Sequence, residues 1–157
     1  MAVKPAEGAR REITRRLALV ETKGADFLRV TLGDGWNGEE SDAKAGTRWV
    51  WTKGDATLRI ENPHAWPLRV RCTLDGWSLG ARDLTLAVAG EGGSVGREAE
   101  SRNLSAQRVR TEFPEIVVPA GGATVSLKSV QPWMSVGAGD ARALGVCVFG
   151  LEFAVRR

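Results

Sequence analysis

Short apolar or alternating segments, separated by turn residues, recur along the chain from residue 16 onwards. In a strand successive side chains point to opposite faces, so alternating runs of four to eight residues indicate half-buried β-strands. Runs spaced by eight to twelve residues are typical of all-β domains, and the spacing predicts about nine or ten strands. We therefore predict an all-β fold, an antiparallel two-sheet β-sandwich. The segments are "RLALVE", "FLRVTLG", "TRWVWT", "ATLRIEN", "PLRVRCTLDG", "DLTLAVAG", "QRVRTEF", "EIVVPA", "ATVSLKSV" and "LGVCVFGLEFAV".

The segments between these runs give the predicted organisation. "TRWVWT" and "ATLRIEN" are separated by "KGD", which predicts a hairpin. "DGWNGEESDAKAG" is too polar and glycine-rich for regular structure, and "EGGSVGREAESRNLS" is a polar loop with room for a short edge strand. The closing run is long enough to be a central strand. We predict a basic tail at 1–12 and one β-sandwich domain at 13–157.

Several apolar side chains share a face by alternation. Trp49 and Trp51 lie one residue apart, and we assign their common face mainly to the sandwich interior. Cys72 and Cys147 each alternate with apolar residues and are predicted to point inward as buried thiols. A disulfide between them is the alternative. Zinc is not predicted, because the two cysteines and the lone His64 lack paired ligand spacing.

The charge distribution of the chain limits the classes of partner that we expect. The net charge is +3, and the excess lies in "KPAEGARREITRR". Arginines elsewhere alternate as on a solvated sheet face, without the basic stripe and stacking aromatics of a nucleic-acid interface, so we expect no nucleic acid as partner. No stretch reaches the ~20 apolar residues of a membrane span, and the N-terminus lacks the apolar core of a signal peptide. We expect a soluble chain without membrane insertion, either cytoplasmic or excised from a larger membrane-associated protein.

Catalytic motifs are scarce. His64 lies in the turn-like "ENPHAWP", and no nucleophile elbow or phosphate-cradling loop is present. Glu39 and Glu40 could form a glycosidase-type carboxylate pair, but adjacent carboxylates usually diverge, and no separated second carboxylate is evident. We predict that the protein is not an enzyme and uses no cofactor or metal.

Tryptophans beside polar side chains point instead to sugar binding. The chain has six Trp and no Tyr. The flat C–H face of a pyranose stacks on indole, while its hydroxyls need charged or amide groups around the rim. Three polar loops carry such groups, "DGWNGEESD", "ENPHAW" and "GAGDAR", and would form one rim if they met at one end of the sandwich. The candidate carbohydrate-binding residues are Trp36, Glu40, Arg48, Trp51, Trp66, Asp140 and Arg142.

A different class of function explains the same residues. In this alternative the tryptophans are core residues, and Asp140 and Arg142 form a structural ion pair that ties a loop to the sheet. The protein would then be a structural or protein-interaction β-sandwich without sugar binding. The partner is thus a glycan or glycoconjugate in the first case and another protein in the second.

The sequence also resembles a family. "DGWNGEE…TRWVWTKGDATLRIENP…PLRVRCTLDG", with the closing "GDARALGVCVFGLEF", is similar to galactose-binding-like jelly-roll domains attached to bacterial membrane glycosyltransferases. The resemblance implies a jelly-roll fold and glycan contact. The matched positions are Gly35, Trp36, Glu40 or Glu39, Arg48, Trp49, Asp140, Arg142, Leu144 and Gly145. Those domains usually follow membrane spans, and this sequence has none.

Overall fold

The structure is a computed structural model that describes residues 20–23, 28–89, 101–133 and 144–156. Within these ranges the regular structure is entirely β. Its strands are β1 (Val20–Lys23), β2 (Arg29–Leu32), β3 (Glu40–Asp42), β4 (Thr47–Trp51), β5 (Ala56–Glu61), β6 (Leu68–Ser78), β7 (Arg82–Ala89), β8 (Arg102–Leu104), β9 (Val109–Glu112), β10 (Ile116–Val118), β11 (Ala123–Ser129) and β12 (Val146–Arg156). The predicted tail, 1–12, lies outside the described residues. No helix in the described ranges is both long and apolar enough to cross a membrane.

The strands form two sheets. Sheet A has the order β10-β6-β12-β4-β3, with β9 also paired to β6 and β1 paired to β12 in parallel. Sheet B has the order β2-β5-β11-β7-β8, and all its pairs are antiparallel. The chain passes from one sheet to the other between β4, β5, β6 and β7, as expected of a jelly-roll sandwich. The prediction of an all-β, two-sheet sandwich is confirmed, and β12 is a central strand as expected.

The main core lies between the two sheets. Alternate residues of β5, β6 and β11 enter it, and strand β6 shows the strict alternation of buried and less buried positions along its length. Fully buried members include Leu58, Val70, Leu74, Val125 and Phe153. Each side chain of this size contributes roughly 1.5–3 kcal/mol on burial, so the packing of the two inner faces is the main source of stability.

Two predictions about local structure are wrong. β4 and β5 do not form a hairpin, because β4 belongs to sheet A and β5 to sheet B, and residues between them carry the chain across. The segment "DGWNGEESDAKAG" does contain a strand: β3 pairs with β4, with Asp42 opposite Thr47. The side chain of Asp42 then caps the turn by accepting hydrogen bonds from the backbone N–H groups of Lys44 and Ala45.

Candidate functional site

A second apolar cluster lies on the face of sheet A that is turned away from sheet B; we call it the outer face. Cys147 of β12 pairs with Trp51 on one side and Trp77 on the other, so their side chains stand in one row across the sheet. The cluster comprises Trp51, Leu144 and Cys147, with Trp49, Trp77, Leu79 and Phe149 packed against it. Val50, between the two tryptophans, faces the main core instead. The prediction that Trp49 and Trp51 face the sandwich interior is therefore wrong.

A shift in strand register explains why Cys147 was also misplaced. The pairing of β12 with β6 is irregular between Val148 and Gly150. Val148 pairs with Gly76 and Gly150 with Asp75, so β12 has one extra residue at this point, as in a β-bulge. Before the shift Val146 and Val148 enter the main core, and after it Leu151 and Phe153 do. Because the period of a strand is two, the extra residue moves Cys147 to the outer face. Cys72 lies in the main core as predicted, and both thiols are free.

The rings of the outer-face cluster contact one another in pairs. Trp51 is 8% exposed and meets Trp77 edge to face, with ring centroids 4.9 Å apart and planes at 81°. Trp49 packs against Phe149 at 6.1 Å and is half-buried. Edge-to-face contact is the favoured geometry for aromatic pairs, because the ring edge is positive and the face negative. Trp51 in this position is a wall of the cluster rather than a surface that a ligand could stack on.

Charged residues border this cluster. Glu40 lies opposite Trp49 in the β3–β4 register. Arg48 precedes Trp49 and therefore points to the other face of β4, where it lies 3.7 Å from the carboxylate of Glu39. On the other side Arg108 covers the ring of Phe149, with its guanidinium carbon 3.9 Å from the ring centroid. Arg108 also donates two hydrogen bonds to Asp75, of 2.9 and 2.8 Å. The hydrogen bonds from Arg108 hold the pKa of Asp75 below its usual value.

Trp36 lies at the end of the sandwich where β12 begins. It forms a β-bridge with Thr52, whose N–H donates to the carbonyl of Val146. The indole packs against the main core, and its Nε1–H donates to the carbonyl of Thr57 at 2.8 Å. Burying an indole requires a partner for this N–H, and here the backbone supplies it. Trp36 therefore anchors its loop to the body of the domain.

The loop "ENPHAW" lies at the opposite end of the sandwich. It leads into β6 at Leu68, beside the end of β12, where Arg156 pairs with Arg69. The ten residue steps from Val146 to Arg156 span about 30 Å. The condition for a single rim, that the three polar loops meet at one end, is therefore not met by this loop. Glu40 and Trp51 lie on the outer face, and Arg48 lies on the opposite face of β4. Trp36 lies at the same end of the sandwich, Trp66 lies at the other, and Asp140 and Arg142 fall outside the described residues.

The "ENPHAW" loop presents an exposed aromatic ring. Trp66 is 57% exposed, whereas the other five tryptophans are buried or half-buried. Its ring stacks on the imidazole of His64, with centroids 4.7 Å apart and planes at 28°. Beneath them Asn62 is 2% exposed and hydrogen-bonded to the loop backbone. Asn before Pro is a turn signature, so the anchoring role of Asn62 could have been found in the sequence.

A buried arginine was missed altogether. Arg82 is 2% exposed and donates from Nε to Ser78 Oγ at 2.8 Å and from Nη2 to Leu79 O at 3.0 Å. Its guanidinium lies 4.2 Å from the ring centroid of Trp133, whose indole N–H donates to Asp55. Burial lowers the pKa of Arg82, since desolvation disfavours the charged form. Arginine at alternate strand positions is normally solvated, so nothing in the sequence singles out this one.

The described residues offer no metal-binding cluster. No group of three or more His, Cys, Asp or Glu in these ranges could hold a metal ion. Burial raises the pKa of Cys147 to about 12 and that of Cys72 higher still, which keeps both as unreactive thiols at neutral pH.

Comparison with known proteins adds two similar structures. A family 6 carbohydrate-binding module has a TM-score of 0.42 and 10% identity, covering 82% of this chain and 94% of its own. The enzymatically active domain of tailspike protein 4 of bacteriophage CBA120 has a TM-score of 0.41 and 8% identity, covering 83% of this chain and 19% of its own. No protein-family model and no curated protein matches the sequence, so nothing supports the link to glycosyltransferases.

Proposed function

We propose that this chain is a non-catalytic carbohydrate-binding β-sandwich module whose ligand stacks on Trp66. The observation that carries the proposal is the 57% exposure of an indole on a loop fixed by a buried side chain. Leaving so large an apolar ring in water forgoes the burial energy that a tryptophan normally provides. A pyranose ring laid on the indole would recover part of it. Because the loop is already ordered, little conformational entropy is lost when the ligand binds.

The other predicted contacts that the structure describes belong to a different part of the molecule. Glu40 borders the outer-face cluster, whereas Arg48 lies on the opposite face of β4, and both remain candidate hydrogen-bonding groups for a glycan at this edge of sheet A. Trp51 is packed within the outer-face cluster and Trp36 is packed against the main core, so both indoles already have packing partners. Asp140 and Arg142 remain predictions from the sequence.

A second candidate function has its own supporting observation. Trp49, Trp77 and Phe149 are only partly buried on the outer face of sheet A. Aromatic residues at a surface are enriched at protein–protein interfaces. The module would then bind another protein through this face, and Trp66 would have no part in it.

Glycan-panel binding followed by calorimetry tests the first proposal. We expect Trp66→Ala to weaken binding of the selected glycan by about tenfold or more, equivalent to ~1.4 kcal/mol. The unfolding free energy of the Trp66→Ala protein should differ from that of the wild type by only about 0.5 kcal/mol, as for other exposed positions. Val130→Ala is the matched control. Val130 is 64% exposed and directly follows β11, at the end of the sandwich away from Trp66. The bound glycan should be recovered uncleaved.

Two results would count against carbohydrate binding at this loop. One is a wild-type protein that binds no glycan of the panel at millimolar concentration. The other is equal affinity of the wild type and Trp66→Ala, which would move the site elsewhere.

A further inference from the structure

We infer that His64 and Asn62 are positioning residues that hold Trp66 as a platform with a single accessible indole face. The inference rests on the proposed function and specifies how its site is built. It begins with Asn62, a polar side chain that is 2% exposed. Its Oδ1 accepts the backbone N–H of His64 at 2.9 Å, and its Nδ2 donates to the carbonyl of Trp66 at 2.9 Å. One amide therefore fixes the backbone under both stacked rings.

The same side chain joins the loop to the body of the sandwich. Asn62 Nδ2 also approaches the carbonyls of Val118 and Pro119, at 3.3 and 3.2 Å. The backbone carbonyl of Asn62 accepts the N–H of Gly121 at 3.0 Å. An amide has two N–H donors, so the three carbonyls share them and at least one N–H is divided between two carbonyls. The loop is thereby fixed to the turn between β10 and β11.

His64 acts on the ring itself. With centroids 4.7 Å apart and planes at 28°, the imidazole covers one face of the Trp66 indole. The exposed part of Trp66 is then its opposite face and its edge. Side-chain rotation of Trp66 is restricted by this contact, which lowers the entropy that ligand binding would otherwise remove.

This geometry determines the kind of ligand. A platform with one open face takes one flat apolar ring face at a time, rather than a ring clamped between two aromatics. We therefore assign it to a single pyranose residue of a glycan, bound by its C–H face, with one stacking position at this end of the sandwich.

The test combines quenching, which needs no ligand, with calorimetry. The contribution of Trp66 to acrylamide quenching is isolated by difference. The quenched fluorescence of each protein is compared with that of the same protein carrying Trp66→Phe. We expect His64→Ala to raise the Trp66 quenching constant, because both indole faces become accessible, and His64→Phe to restore it. His64→Ala should also weaken binding of the panel-selected glycan about two- to tenfold, the cost of immobilising one more side chain. His64→Phe should bind within about twofold of the wild type, on the same reasoning.

The variants separate failure of the inference from failure of the proposed function. If His64→Ala leaves both quenching and affinity unchanged while Trp66→Ala abolishes binding, the positioning role is wrong and carbohydrate binding stands. If no glycan binds the wild type, the proposed function fails, and unchanged quenching would overturn the one-faced platform independently. Asn62→Asp replaces the donor amide with an acceptor facing three carbonyls. A folded Asn62→Asp protein with wild-type Trp66 quenching would refute the anchoring role of Asn62.

Discussion

Replacing Trp51 by alanine tests whether the outer-face cluster is a second core. Trp51 is 8% exposed although it points away from the interior between the two sheets. It touches Trp77 edge to face, and its strand neighbour Cys147 is 2% exposed. If the cluster is well packed, Trp51→Ala leaves a large cavity beneath Trp77. If the cluster is loose, neighbouring rings close the gap at little cost.

The expected magnitude follows from the buried area. A buried tryptophan removes about 150–250 Å² from water, which at ~25 cal/mol per Å² corresponds to about 4–6 kcal/mol. The unfolded chain already buries part of this area, so the figure is an upper bound. Large aromatic-to-alanine changes in cores cost about 3–5 kcal/mol. We expect Trp51→Ala to lower the unfolding free energy by ~4 kcal/mol.

Urea unfolding followed by far-UV circular dichroism measures this loss without relying on tryptophan fluorescence. Trp66→Ala serves as the control, since the same side chain is removed from an exposed position. A cycle with Trp77→Leu should give a coupling of about 0.5–1.5 kcal/mol for the edge-to-face pair. A loss below ~1 kcal/mol for Trp51→Ala, in the range of surface substitutions, would refute the packed cluster.

Two further predictions concern ionisable groups. Because burial raises the pKa of both thiols, neither Cys72 nor Cys147 should react with a disulfide reagent in the native protein near pH 8, and two thiols should react after unfolding. Rapid reaction of either thiol in the native protein would contradict this prediction. So would the absence of any reactive thiol after unfolding without reductant, since it would indicate a disulfide. The lowered pKa of Asp75 adds stability above 3.8, its ordinary value, and that stability is lost as the pH falls through the native value. Asp75→Asn should therefore reduce the loss of unfolding free energy at acid pH, measured by denaturant unfolding, with Asp42→Asn as the control. An unchanged dependence of stability on pH would show that Asp75 does not contribute to it.

Alternation along the chain was sufficient to predict the sandwich and insufficient to orient its strands. The strict pattern of β6 identifies its buried face because polar and apolar residues alternate there. β4 carries apolar side chains on both faces, since Val50 enters the main core and Trp51 the outer cluster. The prediction placed the larger side chains of β4, those of the two tryptophans, on the inner face, whereas the inner face carries Val50. In β12 the register shift after Val148 changes the parity within one apolar run, which no local pattern reveals.

The candidate site was predictable only in its components. Trp66 and His64 could be recognised as loop residues, and the Asn-Pro step marks the turn that supports them. Their separation from Glu40 and Arg48 depends on pairing between distant strands, such as Arg69 with Arg156. A one-dimensional list of polar loops cannot say which end of a sandwich each loop occupies. The buried Arg82 was hidden for a related reason, because its acceptors come from two chain segments, 78–79 and 129–132, which are distant in the sequence.

Tryptophan content alone is therefore weak evidence for glycan binding in this fold. Five of the six indoles pack into one of the two apolar clusters, and those of Trp36 and Trp133 also donate their N–H groups within the protein. An indole in such a position stabilises the domain whether or not a ligand exists. Trp66 differs because its support, from Asn62 and His64, orders the ring without covering its exposed side. A side chain that is held in place and left in water has the property that a binding platform requires, which is why the proposal rests on this residue.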